Sequence, residues 1–163
     1  MKNVILLCYK GLGANLLHLS YCHQIYDKYG PVTIITLCKN LKEVLYNDPK
    51  IAEVIFLDQY YKKFSDVLNL SKFLSSQKID NMFIFYPSIR FFLASKLAKI
   101  KNIKCYPFFS KKNLHLVKAA KKFTEKILNT DNCSTETRIF IDKNILDREK
   151  VHIKKNKINV TLG

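Results

Sequence analysis

Apolar residues in this chain gather in short unbroken runs, separated by stretches whose apolar positions recur every three or four residues. The first run, Val4-Ile5-Leu6-Leu7-Cys8, enters the turn Lys10-Gly11-Leu12-Gly13 and then a helical pattern over 15–29 that stops at Gly30. A strand-length run without alternation predicts a strand buried on both faces, the habit of parallel sheet covered by helices. Further strands are predicted at 32–37, 53–57, 81–86 and 103–106, with helices over 41–46, 65–77, 89–100 and 114–128. Val32, Thr33, Ile34, Ile35 and Thr36 make the second strand firm, because β-branched side chains suit a pleated, half-buried surface. The run at 81–86 is apolar throughout its middle and is expected to be an inner strand. Val67, Leu68, Phe73 and Leu74 mark the buried face of the helix before it, while Asn40 and Ser88 stand at N-cap positions. A polar linker follows at 129–137, then a short strand at 138–141, a charged helix over 145–153 and a strand-like KINVTLG at 157–163.

Strands alternating with helices predict an α/β chain with a Rossmann-like, doubly wound, mostly parallel sheet. Residues 1–156 read as one domain, and 157–163 as the opening strand of a second that the sequence does not include. The glycine turn after the first strand lies at the carboxyl end of the sheet, where open α/β sheets hold their ligands. Gly11 and Gly13 would let the backbone take positive φ and come close to whatever binds there.

Composition changes this picture little. The 163 residues are 48% hydrophobic and 25% charged, ordinary globular usage. The net charge of +15 suggests nucleic acid, yet nearly all of it is Lys. Only Arg90, Arg138 and Arg148 offer the forked guanidinium suited to phosphates and bases. Lys, Asn and Ile are plentiful and Ala is scarce, a bias that AT-rich coding imposes without any partner. The sequence therefore predicts no specific nucleic acid partner. Cys8, Cys22, Cys38, Cys105 and Cys133 are scattered, and His18, His23, His115 and His152 form no metal-binding spacing. No metal is expected. With no signal peptide and only strand-length apolar runs, the expected setting is the cytoplasm.

A glycine turn at this place also invites a dinucleotide. Gly11 and Gly13 fit G-x-G-x-x-G, but its third position is Leu16, and the second strand ends in Leu37-Cys38-Lys39 without the acidic residue that holds a ribose. Lys39 could meet a 2′-phosphate, which leaves NADP as one alternative. A second is that the glycines merely make a tight turn. The His18 side chain either reaches the loop or packs on its helix.

Four segments stand in order along the chain, Lys10 to Asn15, Asp48 to Ile55, Tyr86 to Ala98 and Leu114 to Val117. This ordered set is similar to that of family-nine glycosyltransferases, the lipopolysaccharide heptosyltransferases. Lys10-Gly11-Leu12-Gly13-Ala14-Asn15 falls on their first turn. Asp48-Pro49-Lys50-Ile51-Ala52-Glu53-Val54-Ile55 resembles the segment entering their third strand. Tyr86-Pro87-Ser88-Ile89-Arg90 with Leu93-Ala94-Ser95-Lys96-Leu97-Ala98 resembles the one after the fourth, and Leu114-His115-Leu116-Val117 the start of the next long helix. Residues 158–163 resemble the strand opening the second domain.

The resemblance implies the N-terminal, acceptor-side domain of a GT-B glycosyltransferase. It implies an anionic lipid-linked sugar acceptor, no cofactor, and an ADP-heptose-like donor held by a C-terminal domain. Lys10, Gly11, Gly13, Asn15, Ser88 and Arg90 would line the acceptor site, with helix-start amides, Lys10 and Arg90 holding an anionic sugar. Family members carry an aspartate base where this chain has Ala14, which cannot take a proton, and the donor domain lies beyond the match. The isolated chain is accordingly expected to be inactive. The alternative from another class is a non-catalytic binding module. From Lys96 to Lys126 there are ten lysines and one acidic residue, Glu125, a flank that anionic lipid at the inner leaflet would attract. Leu116, Ala120, Phe123 and Ile127 form an apolar stripe on that helix, read as core.

Overall fold

The computed structural model describes residues 1–58, 63, 65–107 and 115–140. Their elements run β1 (Asn3–Leu7), α1 (Leu12–Leu16), α2 (Leu19–Tyr29), β2 (Val32–Thr36), α3 (Leu41–Val44), β3 (Ile51–Phe56), α4 (Asp66–Ser76), β4 (Asn81–Ile84), α5 (Ile89–Leu97), β5 (Asn102–Cys105) and α6 (Leu116–Leu128). The sheet order is β3-β2-β1-β4-β5, and every pairing is parallel. The apolar runs thus fall on strands, and the 81–84 strand is an inner one, buried along its whole length.

Side-chain alternation along the strands divides the interior in two. Ile5, Leu7, Ile34, Phe83 and Phe85 face α2 and α6. Val4, Leu6, Cys8, Ile35, Met82 and Ile84 face α4 and α5. At the amino edge, the Asn81 amide donates to Asn3 Oδ1 at 2.8 Å, and Asn3 Nδ2 donates to Tyr29 O (2.8 Å) and Pro31 O (3.2 Å). A slip of one residue would strand these buried amides and send each side chain into the opposite interior, so the pair fixes the register of β1 on β4.

The helices depart from the sequence pattern in instructive ways. Leu68 is exposed; the buried face of α4 is Val67, Leu70, Ser71 and Leu74, with Phe73 at its margin. Asn40 and Ser88 do precede α3 and α5, but neither side chain makes a capping hydrogen bond. The α6 stripe is core: Ala120, Phe123, Thr124 and Ile127 are buried, while Leu116 is half-buried. Tyr21 Oη donates to Val117 O at 3.1 Å, tying α6 to α2. Residues 129–140 are more than a linker. Cys133 is buried, and Gln24 and Ser134 exchange two hydrogen bonds, Nε2 to O at 2.9 Å and N to Oε1 at 3.0 Å, so the segment straps across α2. Arg138 to Phe140 form no strand. Ile141, the 145–153 helix and the 157–163 strand lie outside the described residues.

The glycine that needs its freedom is Gly30, which ends α2 at φ 85°, ψ −162°. A Cβ there meets nothing within 4 Å, so the penalty for a side chain is purely a backbone one. Gly30→Ala is expected to destabilise the fold by about 1–3 kcal/mol in urea denaturation.

Candidate functional site

In this strand order the crevice opens between the carboxyl ends of β1 and β4, the switch point of the sheet. The two loops there are bound together. Phe85 N donates to Leu6 O at 3.1 Å, Tyr9 Oη donates to Phe85 O at 2.9 Å, and the Tyr9 and Tyr86 rings meet edge-on at 5.6 Å. The fold therefore sets the segment of Lys10, Gly11 and Gly13 beside that of Ser88 and Arg90, as their places after β1 and β4 require. Lys10, Gly11 and Gly13 are exposed and Arg90 half-exposed. Ser88 is buried at the head of α5, where its carbonyl accepts from Phe92 N at 3.2 Å.

Asn15 is placed differently from the others. It is buried; its amide nitrogen donates to Gly11 O (2.7 Å) and Tyr9 O (3.0 Å), and its oxygen accepts from Thr36 Oγ1 (2.8 Å). Thr36 Oγ1 in turn accepts from Cys38 N at 3.1 Å. Asn15 is thus committed to shaping the first loop and joining it to the end of β2. The glycines also correct an expectation: Gly11 has φ −76°, and Gly13 is not among the positive-φ residues. No atom lies within 4 Å of a Cβ built on either. Their smallness leaves the loop surface open instead of permitting a special backbone.

The expected long first helix breaks at Leu17-His18, and the reason is local. His18 N donates to Asn15 O at 3.0 Å, one residue short of the α-helical partner. That frees Ala14 O, which His18 Nδ1 takes at 2.7 Å. Since a carbonyl only accepts, Nδ1 carries the proton, and Nε2 is left to accept from Tyr106 Oη at 3.4 Å. The ring is fully buried, stacked on Tyr9 at 4.9 Å and edge-on to Phe85 at 5.5 Å. It is a packed histidine beneath the loop. One consequence is that α1, at five residues, has little aligned dipole behind its first amides.

Burial lowers the His18 pKa from 6.5 to about 4, against the opposing effect of its bond to Ala14 O. Between those values the unfolded chain binds a proton that the folded chain excludes. The stabilisation is full above about pH 6.5 and is lost as pH falls toward 4, by up to about 3 kcal/mol. Urea denaturation at pH 7 and 4.5 is expected to show this loss, and His18→Gln to flatten it.

Sequence spacing gave no hint of a second buried pair, His23 Nε2 and Asp48 Oδ2 at 2.7 Å. Asp48 Oδ1 also accepts from Lys50 N at 3.0 Å, and the Phe140 ring lies 5.9 Å from His23. This pair joins α2 to the turn before β3 and supplies nothing to the crevice. Among the described residues no group of His, Cys, Asp and Glu could hold a metal, and no helix is long and apolar enough to cross a membrane. Beside the first loop, a hollow of about 420 Å³ is lined by Lys10, Lys39, Asn40 and Asp58.

The arrangement has counterparts among solved structures. A glycosyltransferase family 9 protein from Veillonella parvula superposes with a TM-score of 0.69 at 15% identity, over 96% of this chain and 51% of its own. The E. coli ADP-heptose lipopolysaccharide heptosyltransferase II does so with a TM-score of 0.65 at 12% identity, over 93% and 50%. The chain spans about half the length of either. No protein-family model and no curated protein sequence matches it. The likeness is one of fold: the chain shares the Rossmann-like architecture of family 9 glycosyltransferases, the group its sequence landmarks resemble.

Proposed function

We propose that this chain is the acceptor-side unit of a heptosyltransferase-like glycosyltransferase of lipopolysaccharide core assembly, acting at the cytoplasmic face of the inner membrane. The observation that carries the reading is a superposition covering nearly the whole chain with about half of a glycosyltransferase family 9 protein and half of an ADP-heptose lipopolysaccharide heptosyltransferase. The crevice supports it: Lys10 and Arg90 stand on the two adjoining segments, and Gly11 and Gly13 leave room between them and solvent. An anionic lipid-linked sugar would lie there, held by two cations whose hydrogen bonds to charged groups are each worth about 1.5–3 kcal/mol. The nucleotide-sugar donor, of ADP-heptose type, would be held by a second unit facing this one. By itself the 163-residue unit would bind acceptor and transfer nothing.

Ala14 favours one other reading, a module that binds the same sugar without any chemistry. Both readings meet the same first test. Calorimetric titration with a phosphorylated, Kdo-bearing lipid A saccharide is expected to saturate, and ADP-sugar and NADP to give no heat. Lys10→Ala and Arg90→Ala should each weaken binding about tenfold or more. Gly11→Ala should fold normally, so any binding it loses reports on the loop surface. Saturation by NADP, or none by the saccharide, would remove both readings.

A further inference from the structure

On the other side of the switch point a cleft of about 900 Å³ opens between the ends of β4 and β5 and the exposed shoulder of α6. It stands apart from Lys10, Gly11, Gly13 and Arg90, none of which lines it. Its wall is apolar and largely aromatic: Tyr86, Tyr106, Leu116, Phe123 and Ile127. The ring of Phe123 meets that of Tyr106 edge-on at 4.7 Å, so this wall is preformed. The volume is that of a site for a small organic molecule.

Among the described residues the charged groups lining it are all cationic: Lys104 enters from β5, and Lys122 and Lys126 from α6. Glu125 and Asp131 lie on the far side of those two α6 lysines and do not line the cleft. All three lysines are exposed. Elsewhere on the surface lysines do find acids, as Lys50 finds Asp27 at 2.6 Å and Lys121 approaches Glu125 at 3.7 Å. None of the three at the cleft has such an ion pair among the described residues. Lys122 and Lys126 are also four residues apart on one helix, an arrangement of like charges that weakens a helix until an anion relieves it. An apolar wall with three lysines as its charged lining is complementary to an apolar body carrying a negative head.

We propose that this cleft binds a single-chain amphiphile with an anionic head group, its tail against Tyr106, Phe123 and Ile127 and its head among Lys104, Lys122 and Lys126. The site is independent of the acceptor reading and stands or falls without it. It is nonetheless wired to the first loop, because Tyr9 also lines the cleft and Tyr9 and Tyr106 both touch His18. Of the nine Tyr, Tyr9, Tyr86 and Tyr106 line the cleft and the chain has no Trp, so occupancy is expected to change part of the tyrosine emission.

The test is titration of the 163-residue chain with monomeric dodecyl phosphate, below its micelle concentration, against dodecanol as the neutral analogue. One-to-one saturation is expected, with the phosphate bound about tenfold more tightly than the alcohol. Lys122→Gln with Lys126→Gln should remove that difference and leave the alcohol unaffected. Ala119→Trp, which fills the cleft from α6, should block both ligands; Leu116→Trp at the rim serves if the first variant melts early. Lys10→Ala and Arg90→Ala should bind dodecyl phosphate normally, which separates this site from the crevice. Equal affinity for the two ligands, or binding that survives both tryptophan variants, would overturn the proposal. So would uptake by anionic vesicles alone, or self-association that closes the cleft and resists the phosphate.

Discussion

Phe85→Ala is expected to lower the unfolding free energy by about 3–5 kcal/mol, the usual range for emptying a buried aromatic site. Phe85 is fully buried just past β4, with Phe123 edge-on at 5.0 Å, Tyr106 at 5.5 Å and His18 at 5.5 Å. One ring thus joins the sheet to α6 and to the underside of the first loop. Its backbone bonds to Leu6 O and from Tyr9 Oη do not depend on the side chain, so the loss would come from the void and the broken ring contacts. Against a total stability of about 5–15 kcal/mol for a domain, the variant should be marginal at 37 °C, and Phe85→Leu should recover most of the difference. Urea denaturation of the three forms measures it. A loss below about 1 kcal/mol would mean that α6 does not pack on the sheet through this ring.

Ala14→Asp is expected to raise turnover by about 10²–10⁴ when the chain is joined to the donor-binding half of a heptosyltransferase, the usual scale of general-base assistance. Residue 14 follows the open Gly13 in the first turn of α1 and is half-exposed. Its bond to His18 Nδ1 uses only the carbonyl, so a longer side chain leaves the turn intact. A carboxylate at this half-exposed position can stay hydrated. The control is Ala14→Asn, equal in size and unable to take a proton. If the Asp form transfers no faster than the Asn form, the acceptor-side reading loses its mechanism, and the non-catalytic module becomes the better account of the same crevice.

Strand positions were legible because a parallel sheet sandwiched by helices demands unbroken apolar runs, and Val4 to Cys8 or Val32 to Ile35 leave no other reading. That the segments following β1 and β4 lie side by side follows from the same logic, since both strands end at the carboxyl edge of the sheet. What escaped the sequence depends on side chains acting over short distances in three dimensions. Asn15 looks like a polar residue in a ligand loop until its amide is found between two carbonyls and Thr36. His18 breaks a helix whose apolar periodicity runs straight through it, because a side-chain bond to Ala14 O substitutes for a backbone one. The strap over α2 is polar in composition, so only the buried Cys133 and the paired Gln24 and Ser134 reveal that it is anchored. Gly11 and Gly13 invited a conformational explanation, but neither has a positive φ and a Cβ at either would stand in open space.

The register of β1 has a consequence for the order in which the chain can fold. Asn3 pairs with Val32 on one side and with Asn81 on the other, so the strand made before the other four described ones lies in the middle of their sheet. Its pairing with β2 is available early, but its far edge stays open until β4 has emerged. During that interval Val4 to Leu7 present an apolar strand edge, the feature most prone to pair with a wrong chain. Because β1 supplies side chains to both interiors, neither helical layer can be completed first and shield it. Folding that waits on such distant contacts is slow, and a nascent chain of this design is exposed to misassembly for as long as β4 is awaited.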